Sequence, residues 1–568
     1  MASILLLVAL LQIAFASPIK ERQLFSTPVV TITAPQATIT GLGGDIEQFP
    51  GIPFALPPTG SLRLKPPQPI ETPIGNYEAT TNAHSCPQFV FSDNSALNGG
   101  VSNAVLGDVA DSGLVQKILS ESEDCLYINI QRPAGTNSSS KLPVLFWIFG
   151  GGFELGWNFM YDGLGWVQSS IEAGQPIIFV AVQYRVGGFG FLGGSEILKD
   201  GSANLGLLDQ RAGLQWISDN IEAFGGDPSK VTIWGESAGS ISVFDQMLAY
   251  DGNHTYNGKP LFRGAIMNSG SVIPANPVDC PKAQNVYNSV VEAGGCTSAS
   301  DTLECLRGLS YSDFLYAVNS VPAILSYQSV ALAYLPRPDG TFMTDSPDNL
   351  VFAGKFADVP FIIGDQEDEG TLFALFQWNI TTDEEIVDYF SEFYFPDMPR
   401  EILENLVSNY DNSTNGSPYR TGDQWNWYPQ FKKLAAILGD ITFIMTRRAL
   451  LFAVSVLYPN LPMWSYLSSY DYGTPVLGSF HGGDILQVFY CILPNYACQA
   501  FRAYYLNFVN NLDPNIGSTD ATYPEWPLWN GTDHPIVNML ASSSQIINDT
   551  FREEAYQFLF GNVHNFRI

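Results

Sequence analysis

Histidine is scarce in this chain: it occurs 5 times in 568 residues. Basic side chains are also few, with 26 Lys and Arg against 56 Asp and Glu and a formal net charge of −30. A surface this acidic repels phosphate backbones, which excludes nucleic acid as a partner. No Cys/His cluster has the spacing of a zinc site, so no metal is expected. Internal repeats and low-complexity tracts are lacking. Beyond the first sixteen residues no run is long and apolar enough to cross a bilayer, so no transmembrane anchor is expected. What remains is 46% hydrophobic and 13% aromatic, ample for a large buried core.

Residues 1–16, MASILLLVALLQIAFA, carry an apolar stretch ending in Ala14-Phe15-Ala16. They read as a secretory signal peptide cleaved near Ser17, although the preceding n-region has no Lys or Arg. Lys20-Glu21-Arg22 marks the end of a short pro-segment, and a single catalytic domain is expected over residues 23–568. Sequons at Asn137, Asn253, Asn379, Asn412, Asn415, Asn530 and Asn548 fit an exported glycoprotein. The 7 cysteines fit export as well. Cys86 and Cys125 bracket a long loop, Cys296 and Cys305 a short one. Cys491 and Cys498 are near enough to close a third, which leaves Cys280 unpaired. The expected product is soluble and secreted.

After VVTITAPQATITGL, which alternates like a β-hairpin, apolar β-rich runs alternate with helical patterns. LYINIQRP, LPVLFWIF, PIIFVAVQYR, KVTIWG, FRGAIMNSG, VPFIIGD and MWSYLSSY read as strands, several apolar on both faces as central parallel strands are. GLLDQRAGLQWISDNIEAF and AGSISVFDQMLAY read as helices. The alternation predicts an α/β fold: a large, mostly parallel sheet with helices on both faces. Residues 380–460 are helical in pattern and read as an insertion over the sheet. Gly188-Phe-Gly190-Phe-Leu-Gly193 matches a dinucleotide-binding fingerprint, with Asp209 at a suitable distance. The following GSEILKDGSANLG reads as loop, so no helix N-terminus receives a pyrophosphate, and no cofactor is expected.

WGESAG, residues 234–239, follows the strand KVTI and precedes a helix. The Gly-x-Ser-x-Gly pattern is short enough to arise by chance. Its context, a strand-to-helix turn stripped of side chains at Gly235 and Gly239, is that of a nucleophile elbow carrying Ser237. A hydroxyl needs a base. Of the histidines, His84 and His254 come too early or lie beside the elbow, His564 is near a terminus, and His534 sits in a polar turn. His481, in the glycine-rich GSFHGGDI after a strand, is the expected base. The acid falls in DQEDEGT, where spacing does not choose among Asp365, Glu367, Asp368 and Glu369; most of these read as solvated. Gly150-Gly151-Gly152-Phe153, after FWIF, supplies free backbone N–H groups for an oxyanion.

SEDCLYINI, GGGFELG, NLGLLDQRAGLQWISDNIEAFGGDPSKVTIWGESAGS, GDQEDEGT and the FHGGDI loop occur in that order. Together they resemble the type-B carboxylesterase/lipase family, the cholinesterase-like α/β-hydrolases, and within it the secreted fungal lipases and sterol esterases. The resemblance spans roughly residues 26 to 565. It implies an α/β-hydrolase fold, Ser237 as nucleophile, His481 as base and acid, and Glu369 as orienting carboxylate. It further implies an oxyanion hole of Gly151, Gly152 and Ala238 amides, and disulfides Cys86–Cys125 and Cys296–Cys305. In the fungal lipases the loop 86–125 is a movable lid. Here Leu106, Val109, Leu114, Val115, Ile118 and Leu119 form one apolar face on a helical reading, suited to transient contact with a lipid interface. The loop has no Trp, which argues against choline esters. Asn379, ten residues beyond Glu369, would carry a glycan near the site mouth. The resemblance implies a secreted serine hydrolase of long-chain lipid esters, triacylglycerols, sterol esters or both. The alternatives are a general carboxylesterase for short soluble esters and, in another class, a non-catalytic binding or adhesion relative.

Overall fold

The computed structural model describes residues 27–89, 120–411, 415–470, 473–492, 494–517 and 522–568. The expected signal peptide and pro-segment, the lid-like face Leu106–Leu119 and the Asn412 sequon lie outside the described residues.

In chain order the strands are β1 (Val29–Thr33), β2 (Gln36–Thr40), β3 (Ile46–Pro53), β4 (Gly75–Glu78), β5 (Tyr127–Pro133), β6 (Leu142–Ile148), β7 (Ile178–Val182) and β8 (Gly226–Glu236). They continue with β9 (Thr255–Tyr256), β10 (Lys259–Pro260), β11 (Gly264–Asn268), β12 (Phe361–Gln366), β13 (Met463–Ser468), β14 (Pro535–Met539) and β15 (Ser544–Asn548). β1, β2 and β4 form a small sheet whose β1–β2 hairpin is the alternating N-terminal run. The main sheet has 10 strands in the order β15-β14-β13-β12-β11-β8-β6-β7-β5-β3. From β7 through β14 every pairing is parallel; only β3, β5 and β15 join antiparallel, at the edges.

Neighbouring side chains in a strand point to opposite faces. Every residue of β7, β11, β12, β13 and β14 is buried, so both faces of the sheet's centre are covered. Helix Ala238–Gly252 packs on β8 and β11, Tyr496–Asn511 on β6 and β8, and Met445–Leu457 on β12. This is the α/β-hydrolase fold, with the chain reversals between parallel strands made by helices.

Helices Asp383–Tyr389, Arg400–Ser408 and Phe431–Gly439 supply a second apolar cluster around Phe390, Leu403, Phe431 and Leu434. One local expectation fails. Ser195–Asp200, read as loop, is a short helix. Glu196 in its first turn and Lys199 in its last complement the helix dipole, and Gly201 ends it at φ 72°. Gly187–Phe191 within the dinucleotide-like run is a buried helical turn. Its glycines serve packing: a Cβ on Gly190 would strike the Arg185 carbonyl.

Three disulfides, Cys86–Cys125, Cys296–Cys305 and Cys491–Cys498, tie loops, and Cys280 is free. The six described sequon asparagines are all exposed, as a glycan requires. Among the described residues no helix is long and apolar enough to cross a membrane.

Candidate active site

β8 ends at Glu236 and the next helix begins at Ala238, so Ser237 alone makes the turn. Its φ of 58° and ψ of −127° lie where an L-residue is strained. The strain persists because both flanks are clamped. Ser237 N–H donates to the Asn268 carbonyl of β11 at 2.9 Å. A Cβ on Gly235 would meet the Gly239 carbonyl, and one on Gly239 would meet the Ile148 carbonyl at the end of β6. Only glycine at both positions lets the helix start this close to the strands.

Ser237 Oγ lies 2.8 Å from His481 Nε2, and His481 Nδ1 lies 2.6 Å from Glu369 Oε2. With the Nδ1 proton directed at the carboxylate, Nε2 is the acceptor for the serine hydroxyl. Glu369 Oε1 accepts the Gln366 N–H at 2.7 Å, which fixes the carboxylate plane. Phe373 and Phe443 enclose the imidazole, with ring centroids 5.0 and 4.5 Å away. The other histidines stand elsewhere. His84 contacts Ser120, His254 lies against Phe262, His534 stacks on Trp529, and His564 meets Asp348.

The remaining acids of DQEDEGT are buried rather than solvated, each holding a structural contact. Asp365 of β12 pairs at 2.7 Å with Arg447 of the helix Met445–Leu457 that packs on that strand. Glu367 pairs with Arg420. Asp368 accepts from Ser417 Oγ at 2.7 Å and from the Tyr419 and Ser479 amides at 2.9 Å each. Its own N–H donates to the Ser479 carbonyl, so the acid loop and the histidine loop form a short parallel bridge at Asp368 and Phe480. That bridge is what carries Glu369 to His481. The sequence expectation that most of these acids are solvated fails because the loop turns inward over the sheet edge.

Opposite the serine, Gly151 and Gly152 adopt φ of 111° and 66°. A Cβ on Gly150 would strike Glu236 O and Ser237 Cβ, and one on Gly152 would strike Ile324. Among the described residues the N–H groups of Gly151, Gly152 and Ala238 donate to no protein acceptor. The loop is held by Glu154, fully buried, whose Oε2 accepts the Ile324 N–H at 2.7 Å. Gln88, just past Cys86, brackets the same loop by two bonds to Gly156.

Two carboxyls that sequence reasoning passed over complete the site: Glu236, inside the elbow motif, and Asp484, three residues after His481. Glu236 Oε1 lies 3.6 Å from His481 Nε2, and Asp484 accepts from Asn268 Nδ2 at 2.9 Å. Burial, with repulsion from Asp484 and Glu369, outweighs attraction to His481 and pushes Glu236 up to about 8. Burial likewise raises Asp484 to about 6. For His481, burial alone would lower the pKa, but the charge and hydrogen bond of Glu369 outweigh it and raise the value. Both acids stood in quoted motifs, yet nothing in the sequence showed that β8 and the histidine loop converge. Among the described residues no group of three or more His, Cys, Asp or Glu is arranged to hold a metal.

A cavity opens from Ser237. Its walls include Gly152, Ile241, Leu332, Phe373 and Phe443 and are overwhelmingly apolar. A hydroxyl, imidazole and carboxylate in line, beside free amides and an apolar chamber, can carry out acyl transfer on an apolar carbonyl compound.

Residues 27–559 match the model of the carboxylesterase family. The chain is 59% identical to Secreted lipase 1 of Botryotinia fuckeliana over 99% of its own length and 98% of that protein's. It is 54% identical to Secreted triacylglycerol lipase LIP1 of Gibberella zeae over 97% and 92% of the two lengths. It superposes on the crystal structure of Aspergillus niger EstA with a TM-score of 0.79 at 26% identity, covering 96% of this chain and 99% of that one. The chain belongs to the carboxylesterase family and is a carboxylic ester hydrolase.

Proposed function

We propose that this chain is a secreted lipase that cleaves long-chain lipid esters, triacylglycerols foremost, through an acyl-enzyme on Ser237. The observation that carries the reading is the Ser237–His481–Glu369 line, at 2.8 and 2.6 Å, opening on a cavity with apolar walls. The cavity's apolar walls suit a hydrocarbon chain, and the two secreted lipase relatives support lipid as substrate.

In the proposed reaction the ester carbonyl sits between Ser237 Oγ and the amides of Gly151, Gly152 and Ala238. Ser237 attacks while His481 Nε2 takes its proton. The negative oxygen is stabilised by the three amides, and the imidazolium by Glu369. His481 then returns the proton to the departing alcohol. Water enters, loses a proton to His481 and attacks the acyl carbon; the acid leaves and Ser237 regains its hydrogen. The interface is proposed to be met transiently; no described helix is long and apolar enough to cross a bilayer.

Hydrolysis across an acyl series from acetyl to octadecanoyl tests this, each ester offered as monomer and as emulsion, with Ser237→Ala as blank. Rates should rise with chain length and rise again on emulsion. Rates that fall beyond butanoyl, with no gain at the interface, would overturn the lipase reading in favour of a short-chain carboxylesterase.

A further inference from the structure

Ser237, Ala238, Ile241 and Asp245 all line the cavity. These positions recur at the spacing of one helical face, so the chamber runs along the side of the helix that begins at Ala238. Its walls are apolar, with Val330, Leu335, Met343 and Phe395 among them, yet Asp245 stands on this face two turns from the nucleophile. Asp245 is 2% exposed. Its Oδ2 is buried with no hydrogen-bond partner among the described residues, and no cation pairs with it there. Burial alone drives its pKa well above the ordinary carboxylate range, which favours the protonated, uncharged acid.

A buried carboxyl without a partner destabilises the fold. Asp245 lines the cavity, so a ligand there stands beside its carboxyl. A protonated carboxyl both donates and accepts, so its natural complement is a hydroxyl, which does the same. The helix fixes where that hydroxyl must be. Eight residues at ~1.5 Å each put Asp245 roughly 12 Å from Ser237. An extended hydrocarbon chain advances about 1.3 Å per carbon, so the carboxyl faces roughly the ninth or tenth carbon from the ester carbonyl.

We infer that Asp245 is a specificity residue that selects acyl chains bearing a hydroxyl near their middle, so that mid-chain hydroxy fatty acyl esters are preferred over their plain counterparts. The inference rests on the long-chain reading above. A plain chain leaves the carboxyl unpaired against methylenes, and a mid-chain hydroxyl satisfies it.

The test is a competition, kcat/KM for octadecanoyl esters that are plain or carry a hydroxyl beside the carbonyl, near mid-chain, or at the far end. Each enzyme is compared with itself, so the ratio does not depend on how much of a variant folds. Wild type should favour the mid-chain hydroxy ester by about tenfold, the scale of one net buried hydrogen bond. Asp245→Leu should erase the preference, and Asp245→Asn, which keeps a donor and an acceptor, should retain most of it. Equal rates on plain and mid-chain esters in wild type would overturn the inference, whether or not a variant folds. So would a preference that ignores hydroxyl position or survives Asp245→Leu. If wild type cleaves butanoyl but no octadecanoyl ester, the long-chain reading itself falls; if it cleaves all of them without discrimination, only the role of Asp245 falls.

Discussion

Glu369→Gln separates the acid of the site from its three acidic neighbours. In the serine's attack the imidazole becomes a cation 2.6 Å from the Glu369 oxygen, with both groups buried. Taking ~4 Å between charge centres and an effective dielectric of about 20, the carboxylate stabilises that cation by about 4 kcal/mol. Losing it slows acylation by about a factor of 10³. The amide does further harm. If its NH₂ donates to Nδ1, the proton is forced to Nε2, the wrong nitrogen to accept from Ser237, and the same change in other serine hydrolases costs about 10⁴. The expected fall in single-turnover acylation is therefore about 10³ to 10⁴, with thermal stability little changed. Asp368→Asn gives the contrast. Asp368 holds Ser417, Tyr419 and Ser479 but not the imidazole, and burial already raises it to about 7. Its amide should cost about 1–3 kcal/mol of stability and well under a hundredfold in rate. A Glu369→Gln enzyme within tenfold of wild type, or a thousandfold loss in Asp368→Asn, would refute the assignment of the acid.

Ser237→Ala should abolish turnover and leave the denaturation midpoint within about 1 kcal/mol; residual hydrolysis near the wild-type rate would unseat the nucleophile. The raised His481 pKa places the acid limb of kcat/KM above the ordinary imidazole value near 6.5, since a protonated ring cannot accept from Ser237. A pH–rate profile whose acid limb stays lower than that would show that Glu369 does not outweigh burial at His481. The stability sign runs the other way: this raised pKa stabilises the fold below the unfolded imidazole's value, a gain lost as pH climbs through the folded value. Arg447→Met should cost about 3–5 kcal/mol in urea unfolding, because Asp365 and Asp549 would both lose a buried partner; a midpoint matching wild type would show that those acids are neutral.

The fold was legible because its signals are local and repeated. Strands apolar on both faces can only be central, and the β/α alternation then dictates a parallel sheet. The serine was legible because two glycines and a strand–helix junction have few other uses. The acid was not, since four carboxylates in five residues look alike until the loop folds. What separates them is the bridge between Asp368 and Phe480, a pairing of segments more than a hundred residues apart. The helix Ser195–Asp200 was missed for a different reason. Its helix-forming residues are too few to outweigh the flanking glycines, and its capping by Gly201 shows only in three dimensions. Glu236 and Asp245 were hidden in plain motifs, because a carboxyl's burial is a property of its surroundings.

Glu236 raises the sharpest question about charge. Three carboxyls, Glu236, Glu369 and Asp484, surround one imidazole in a buried site. Were all ionised, His481 would hold its proton against them and fail as both base and acid. Burial settles the matter at Glu236, whose pKa of about 8 leaves it mostly neutral near pH 7, so Glu369 is the charge that governs His481. Asp484, which burial raises only to about 6, keeps a second negative charge in the site near pH 7. Proton transfer to the imidazole makes an ion pair with Glu369 and places the new negative charge on the ester oxygen, beside the amides. Glu236→Gln copies the neutral state, so at pH 7 kcat/KM should stay within about tenfold of wild type and the acid limb should not move by more than a fraction of a unit. The difference should appear only above pH 8, where Glu236 ionises and Gln does not. A shift of the acid limb by a full unit or more in Glu236→Gln would mean that Glu236 is charged at neutral pH, and that the imidazole is balanced against one carboxylate more than Glu369 and Asp484.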